Sequence, residues 1–181
     1  IAHPEGSVSP SRDVATTDFE LVFADLDIIL RRIERIEDSR NKVPLKERPA
    51  MEKEKAMLRR LAGGLEKGVP LREQDLAPEE SHLLRNYALL TIKPLLIVIN
   101  VGEDILPELG AAEEEWSHQY SRQGTAVIAL CGKLEKEIAQ LEGSEVPEFQ
   151  TSLGLDQLAP ERVIRACYQL AGLITFYTVA H

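Results

Sequence analysis

Two short strings hold residue types that can do chemistry together: Asn100-Val101-Gly102-Glu103 and Cys131-Gly132-Lys133. Each closes an apolar run of strand length, Leu95 to Val101 and Thr125 to Cys131. An Asn amide both donates and accepts, and a carboxylate three residues on only accepts. The pair can therefore meet the ring N–H and exocyclic amine groups of a purine edge. The backbone after the second run can complete the contact. In doubly wound sheets, ligands gather at the carboxyl ends of the strands. Asn and Gly after a strand are also ordinary turn residues, so these strings alone leave the plainer reading open.

Other chemistries find no pattern. His3, His82, His118 and His181 show no ligand spacing, and no Cys or carboxylate pattern completes a metal site. Glu113-Glu114-Glu115 reads as the solvated first turn of a helix. No GxSxG string occurs, and Cys131 has no evident histidine partner, so no catalytic residue is assigned. A phosphate cradle needs consecutive backbone N–H groups at a helix start, usually GxxxxGK[ST], and neither that string nor DxxG is present. Gly63-Gly64 falls within or at the end of a helix, the wrong pole for an anion.

The elements around these strings follow from periodicity. Pro4, Gly6, Ser7, Ser9, Pro10 and Ser11 mark a loop over residues 1–16. Thr17 with Glu20 predicts a capping box and a helix start. Phe19, Leu26 and Ile33, with Val22, Ile29 and Ile36, predict a seam repeating every seven residues, widened by Phe23 and Leu30. Asn41, Pro44 and Pro49 break it, and a second helix over Pro49 to Lys67 presents Ala50, Met57, Leu58, Leu61 and Leu65. Together they predict an antiparallel helical hairpin over residues 17–76. A third helix starts near Pro78, burying Leu83, Leu84, Tyr87, Ala88 and Leu90. From Leu95 the order reads β-α-β-α: strands buried on both faces, helices over Ala111 to Arg122 and Lys133 to Glu142, then one over Ala159 to Leu170. Leu173 to Val179 reads as a last strand or extended segment. Two or three parallel strands make a poor sheet alone, so something else is expected to complete it.

Composition sets the bounds. The chain has 181 residues, 44% hydrophobic and 28% charged, as in a folded domain. Its longest apolar run, Pro94 to Val101, is far short of a membrane span. Ile1 to Gly6 lacks a signal-peptide pattern and an initiating Met, which predicts a processed chain or an excerpt. Cys131 and Cys167 both sit in apolar runs and are expected to be buried free thiols in a reducing, cytoplasmic compartment. The net charge of -9 opposes bulk attraction to nucleic acid. It is uneven, however: Arg31 to Arg60 holds eleven Lys or Arg against six Asp or Glu, and Glu113 to Glu148 holds three against eight. A basic hairpin carrying Arg31, Arg35, Arg59 and Arg60 could touch a phosphate backbone, or could simply be a solvated surface.

Several strings, in order, resemble the YchF family of Obg-like P-loop ATPases and GTPases. His3-Pro4-Glu5-Gly6-Ser7-Val8-Ser9-Pro10-Ser11-Arg12-Asp13 and Phe19-Glu20-Leu21-Val22-Phe23-Ala24-Asp25-Leu26 resemble the segment after its fourth G-domain strand. The hairpin is similar to its coiled-coil insertion. Thr91-Ile92-Lys93-Pro94 leading to Asn100-Val101-Gly102-Glu103 resembles its NxxE base-specificity motif, and Cys131-Gly132-Lys133-Leu134-Glu135 its second base-contacting loop. Ile164-Arg165-Ala166-Cys167-Tyr168 through Leu173-Ile174-Thr175-Phe176-Tyr177-Thr178 resembles the approach to its TGS domain.

The resemblance implies an α/β fold, a partial P-loop NTPase sheet with an inserted helical hairpin. Residues 1–16 would be a G-domain loop, 17–76 the insertion, 77–172 the later half of the G domain, and 173–181 the start of a TGS strand. By the same resemblance Asn100, Val101 and Glu103 would face a purine base, with Cys131, Gly132 and Lys133 as the other wall. Against the NKxD of GTPases, Val101 stands for Lys and Glu103 for Asp. Implied partners are ATP or GTP with Mg for a complete parent, and ribosomes or RNA through the hairpin. The family's phosphate loop would precede Ile1, so the chain alone is expected to be inactive and to hold no cofactor by itself. A non-catalytic RNA- or protein-binding hairpin module is the alternative. Self-association through open sheet edges is also expected.

Overall fold

A computed structural model describes residues 9–40, 42–152 and 157–177. The chain divides into two compact units, Ile1–Lys93 and Pro94–His181. The division falls after Lys93, later than the 76/77 boundary read from the end of the hairpin, because the segment around Pro78 packs with the hairpin.

The first unit is built on two helices, α1 (Pro10–Ser39) and α2 (Arg48–Leu65). Helix α1 begins before Thr17, which corrects the expected loop over 10–16. Pro10 occupies the first turn, where its missing N–H costs nothing, and Asp13 sits at the positive end of the helix. Thr17 caps nothing; its hydroxyl donates back to the Asp13 carbonyl at 2.8 Å. The rest of the loop reading, residues 1–8, lies outside the described residues, as do Asn41 and residues 178–181 of the expected last strand.

The helices meet along Val22, Ile29, Ile33 and Ile36 of α1 and Met57, Leu58, Leu61, Ala62 and Leu65 of α2. The seven-residue seam is thus correct except at its start. Phe19 is 70% exposed and Phe23 63% exposed, their rings stacked with centroids 6.2 Å apart. Leu30 and Ala50 also face outward. The buried position that the apolar pattern skipped is Asp25. Its carboxylate accepts from the N–H of Leu90 at 2.8 Å, the N–H of Thr91 at 2.7 Å and the Thr91 hydroxyl at 2.6 Å. The Thr91 oxygen in turn accepts from the Leu71 N–H at 3.1 Å.

Helix α3 (Pro78–Leu84) gives way to a 3-10 turn over Arg85–Tyr87. Ala88 then adopts a left-handed backbone, with φ of +53°. This break changes the phase of the apolar positions. Leu84 and Leu89 are buried, whereas Leu83, Ala88 and Leu90, expected inside, are exposed.

The second unit holds two parallel strands, β1 (Leu95–Asn100) and β2 (Thr125–Leu130), in register from Leu95 beside Thr125 to Asn100 beside Leu130. Helix α4 (Leu109–Tyr120) makes the crossover and packs on β2, as does α7 (Ala159–Leu170). The parallel α/β reading holds. The expectation of strands buried on both faces does not hold for β1, where only Ile99 is buried and Val98 is 46% exposed. A two-stranded sheet has too few neighbours to cover both faces. After β2 come α5 (Gly132–Ile138) and α6 (Val146–Ser152), the latter not foreseen. Cys131, Leu134 and Ile138 form a small core that Val146 and Phe149 cover. Cys167 is exposed, unlike Cys131, which corrects the expectation of two buried thiols. Leu173–Tyr177 has no regular structure among the described residues.

Candidate functional site

The parallel register brings the carboxyl tips of β1 and β2 side by side. Asn100 ends β1, and Cys131 follows β2 as the residue before α5. The Gly132 N–H donates to the Asn100 side-chain oxygen at 2.9 Å, while the Val101 N–H donates to the Leu130 carbonyl at 2.9 Å. The first bond spans the two loops and the second extends the strand ladder. Gly132 permits the first: a Cβ there would lie 3.1 Å from the Asn100 amide oxygen. Asn100 therefore spends its acceptor on the neighbouring loop and keeps its NH2 for other contacts.

Beyond that bond the two loops meet again. Lys133, in the first turn of α5, places its ammonium 2.7 Å from a carboxylate oxygen of Glu103, which opens the 3-10 turn Glu103–Glu108. Both side chains are largely exposed. The hydrogen bond to Glu103, its charge and that of Glu137 push the Lys133 ammonium above its usual range. Of the six residues read for this site, Asn100, Gly132, Glu103 and Lys133 are joined in two pairs. The Val101 side chain and buried Cys131 instead serve the small core under α5.

Two contacts here escaped the sequence reading. Glu113, read as a solvated acid, accepts from the Ala129 N–H at 2.5 Å and from Arg162, whose Nη1 donates to the Ala129 carbonyl at 3.1 Å. Glu135 accepts from the Ala159 N–H at 3.2 Å and so caps α7. A lone carboxylate in a run of acids gives no sign of a backbone partner distant in sequence.

The four arginines singled out on the hairpin are not equivalent. Arg31 pairs with Asp27, Arg59 with Glu37 at 2.8 Å, and Arg60 with Glu80 at 2.7 Å. Arg35 makes no ion pair among the described residues. It lines a cleft with Ile28, Arg31, Arg32, Glu54, Leu83, Asn86 and Tyr87. No helix among the described residues is long and apolar enough to cross a membrane.

Parallel strands with joined carboxyl tips and an α-helical crossover, together with a helical hairpin, define this chain as an α/β protein. No family model matches it. It is 33% identical over 180 residues to the ribosome-binding ATPase YchF of Bacillus subtilis, with 98% of this chain covered. It is 35% identical over 178 residues to the protein of the same name from Escherichia coli O157:H7, again with 98% of this chain covered. The solved structure of the Schizosaccharomyces pombe YchF GTPase matches with a TM-score of 0.77 at 23% identity, covering 94% of this chain and 46% of that one. The chain spans about half the length of the curated relatives it matches, 48%. Over that segment, the chain is a homologue of the YchF proteins.

Proposed function

We propose that this chain is the base-reading and partner-docking part of a cytoplasmic purine-nucleotide hydrolase. The reading rests on one observation: the tips of β1 and β2 are adjacent and joined by the bond from Gly132 to Asn100. A flat heterocycle lodged between the two loops would meet the Asn100 NH2, the backbone after Val101 and the Glu103 carboxylate. Phosphoryl transfer needs a loop that holds phosphates, its Lys and Mg²⁺. The sequence carries no GxxxxGK[ST] string to supply them, so the nucleoside triphosphate and Mg²⁺ would be held by residues outside this segment. The segment alone would not hydrolyse ATP or GTP, and steady, nucleotide-specific turnover by the purified 181-residue chain would refute that. In the full-length protein, Asn100→Ala removes the bond joining the loops and should weaken nucleotide binding about tenfold or more. Calorimetry showing unchanged affinity would overturn the base-site reading.

The hairpin is the proposed docking arm for a ribosome or RNA. Arg35 supports this best, because it makes no ion pair among the described residues, and the Glu54 carboxylate in its cleft is taken by Arg32 and Tyr87. Arg31, Arg59 and Arg60 are each offset by a carboxylate. Arg35→Ala should therefore lower the salt slope of RNA or ribosome binding by about one phosphate contact, more than Arg59→Ala does. Equal, negligible effects at both positions would count against a phosphate-contacting hairpin.

A further inference from the structure

Arg35 lines a cleft of about 580 Å³, within the size range of small-ligand sites. Ile28 of α1 and Leu83 of α3 supply its apolar lining. Both oxygens of the Glu54 carboxylate are engaged, by the Arg32 guanidinium at 2.8 and 3.1 Å and by the Tyr87 hydroxyl. That pairing offsets the Glu54 charge, so the carboxylate does not repel an anion. It also grips Arg32 by its edge, in the plane of the guanidinium, which keeps the flat faces for stacking. Two further lining groups have no partner among the described residues, the Arg35 guanidinium and the Asn86 amide. An unpaired cation, a planar platform beside apolar side chains, and an amide that donates and accepts match the parts of one nucleotide: phosphate, base face and base edge. A base stacked and paired inside a duplex hides its face and most of its edge, so the complement is an unpaired one.

We infer that this cleft takes a single nucleotide with an unpaired base, Arg35 meeting the phosphate, Arg32 the face of the base and Asn86 its edge. The same chemistry is carried by an unpaired nucleotide in RNA and by a free mononucleotide. For the RNA source the inference rests on the docking reading above. The cleft lies wholly within the first unit and shares no residue with the loops that follow β1 and β2.

The experiment uses the full-length protein and two RNA duplexes, one fully paired and one with a single bulged uridine, with Kd read by fluorescence anisotropy. Uridine monophosphate supplies the free form, because a pyrimidine does not report on a purine site. The bulged duplex should bind about tenfold more tightly than the paired one. Arg35→Ala and Asn86→Ala should each remove that preference, with the fold checked by circular dichroism. Asn86→Ala should do so without changing the salt slope, since an amide carries no charge. Arg59→Ala should leave the preference in place. Preference for the bulge without binding of uridine monophosphate assigns the RNA source. Binding of uridine monophosphate that Arg35→Ala abolishes, with equal affinity for the two duplexes, assigns the free one. Equal affinity for the duplexes and no binding of uridine monophosphate overturns the inference while leaving the docking arm standing, as does a preference that survives both substitutions. Failure to bind either duplex or the mononucleotide overturns both.

Discussion

Asp25 shows how much one buried carboxylate can organise. It is fully buried on α1 and accepts three donors from Leu90 and Thr91. Truncation would leave two backbone N–H groups and a hydroxyl facing an apolar wall. Asp25→Ala should therefore cost about 3 kcal/mol, more than an exposed polar truncation. Urea denaturation with an unmoved midpoint would contradict this. Such a residue is hard to read from sequence, because a polar side chain in a seven-residue seam looks like the outer face. Its partners lie 65 and 66 residues away in the chain. Asn100 and Glu103 were easier, since their position after an apolar run marks the carboxyl end of a strand. What the run did not reveal is that Asn100 binds the Gly132 N–H and Glu103 binds Lys133. Both bonds depend on register, and register is a property of two segments at once.

Among the elements, regular apolar spacing served well wherever the element was long. Helix α7 spans Ala159–Leu170 as read, and both strands fall within a residue of their expected ends. Errors came at breaks, where one residue resets the phase: Pro10 at the start of α1 and Ala88 after α3. The paired glycines of α2 offer a test of local packing. A Cβ on Gly63 meets nothing within 4 Å, but one on Gly64 would lie 2.4 Å from the Gln74 side chain. That amide donates to the carbonyls of Val69 at 2.9 Å and Leu61 at 3.3 Å. Gly63→Ala should gain about 0.5–1 kcal/mol from helix propensity. Gly64→Ala should lose about 1 kcal/mol, because displacing Gln74 outweighs the same gain. Thermal melts showing equal gains at both positions would mean that Gln74 is not held.

Helices α1 and α2 are also tied through Glu54, which takes a two-pronged contact from Arg32 at 2.8 and 3.1 Å and the Tyr87 hydroxyl. Burial pushes the Glu54 carboxyl up, yet the bonds from Arg32 and Tyr87 outweigh it and hold the carboxyl below its usual range. A carboxyl depressed in the folded state stabilises above its unfolded value of about 4.3, and that contribution fades as pH falls through the folded value. Glu54→Gln should cost about 1 kcal/mol at pH 7, allowing for solvent screening. The difference in Tm from the unaltered chain should then close below about pH 4. A difference that stays constant from pH 7 to pH 3 would exclude Glu54 as its source.

At the scale of the whole molecule, the sheet is unequal at its two sides. In a parallel ladder, alternate residues point their backbone groups to opposite edges. The Val101 N–H reaches the Leu130 carbonyl, so Ala129 faces away from β1. There its N–H is taken by Glu113 and its carbonyl by Arg162. The expected self-association through an open β2 edge is thus opposed near the carboxyl end of that strand, at Ala129. Arg162→Ala combined with Glu113→Ala should raise concentration-dependent association in sedimentation velocity. Unchanged sedimentation across about a hundredfold range of concentration would show that the pair guards nothing. Growth of the ladder is thereby polarised. A newly arriving strand finds Ala129 of β2 already latched, so two side chains borrowed from helices bias extension of the sheet toward the side of Leu96 and Val98.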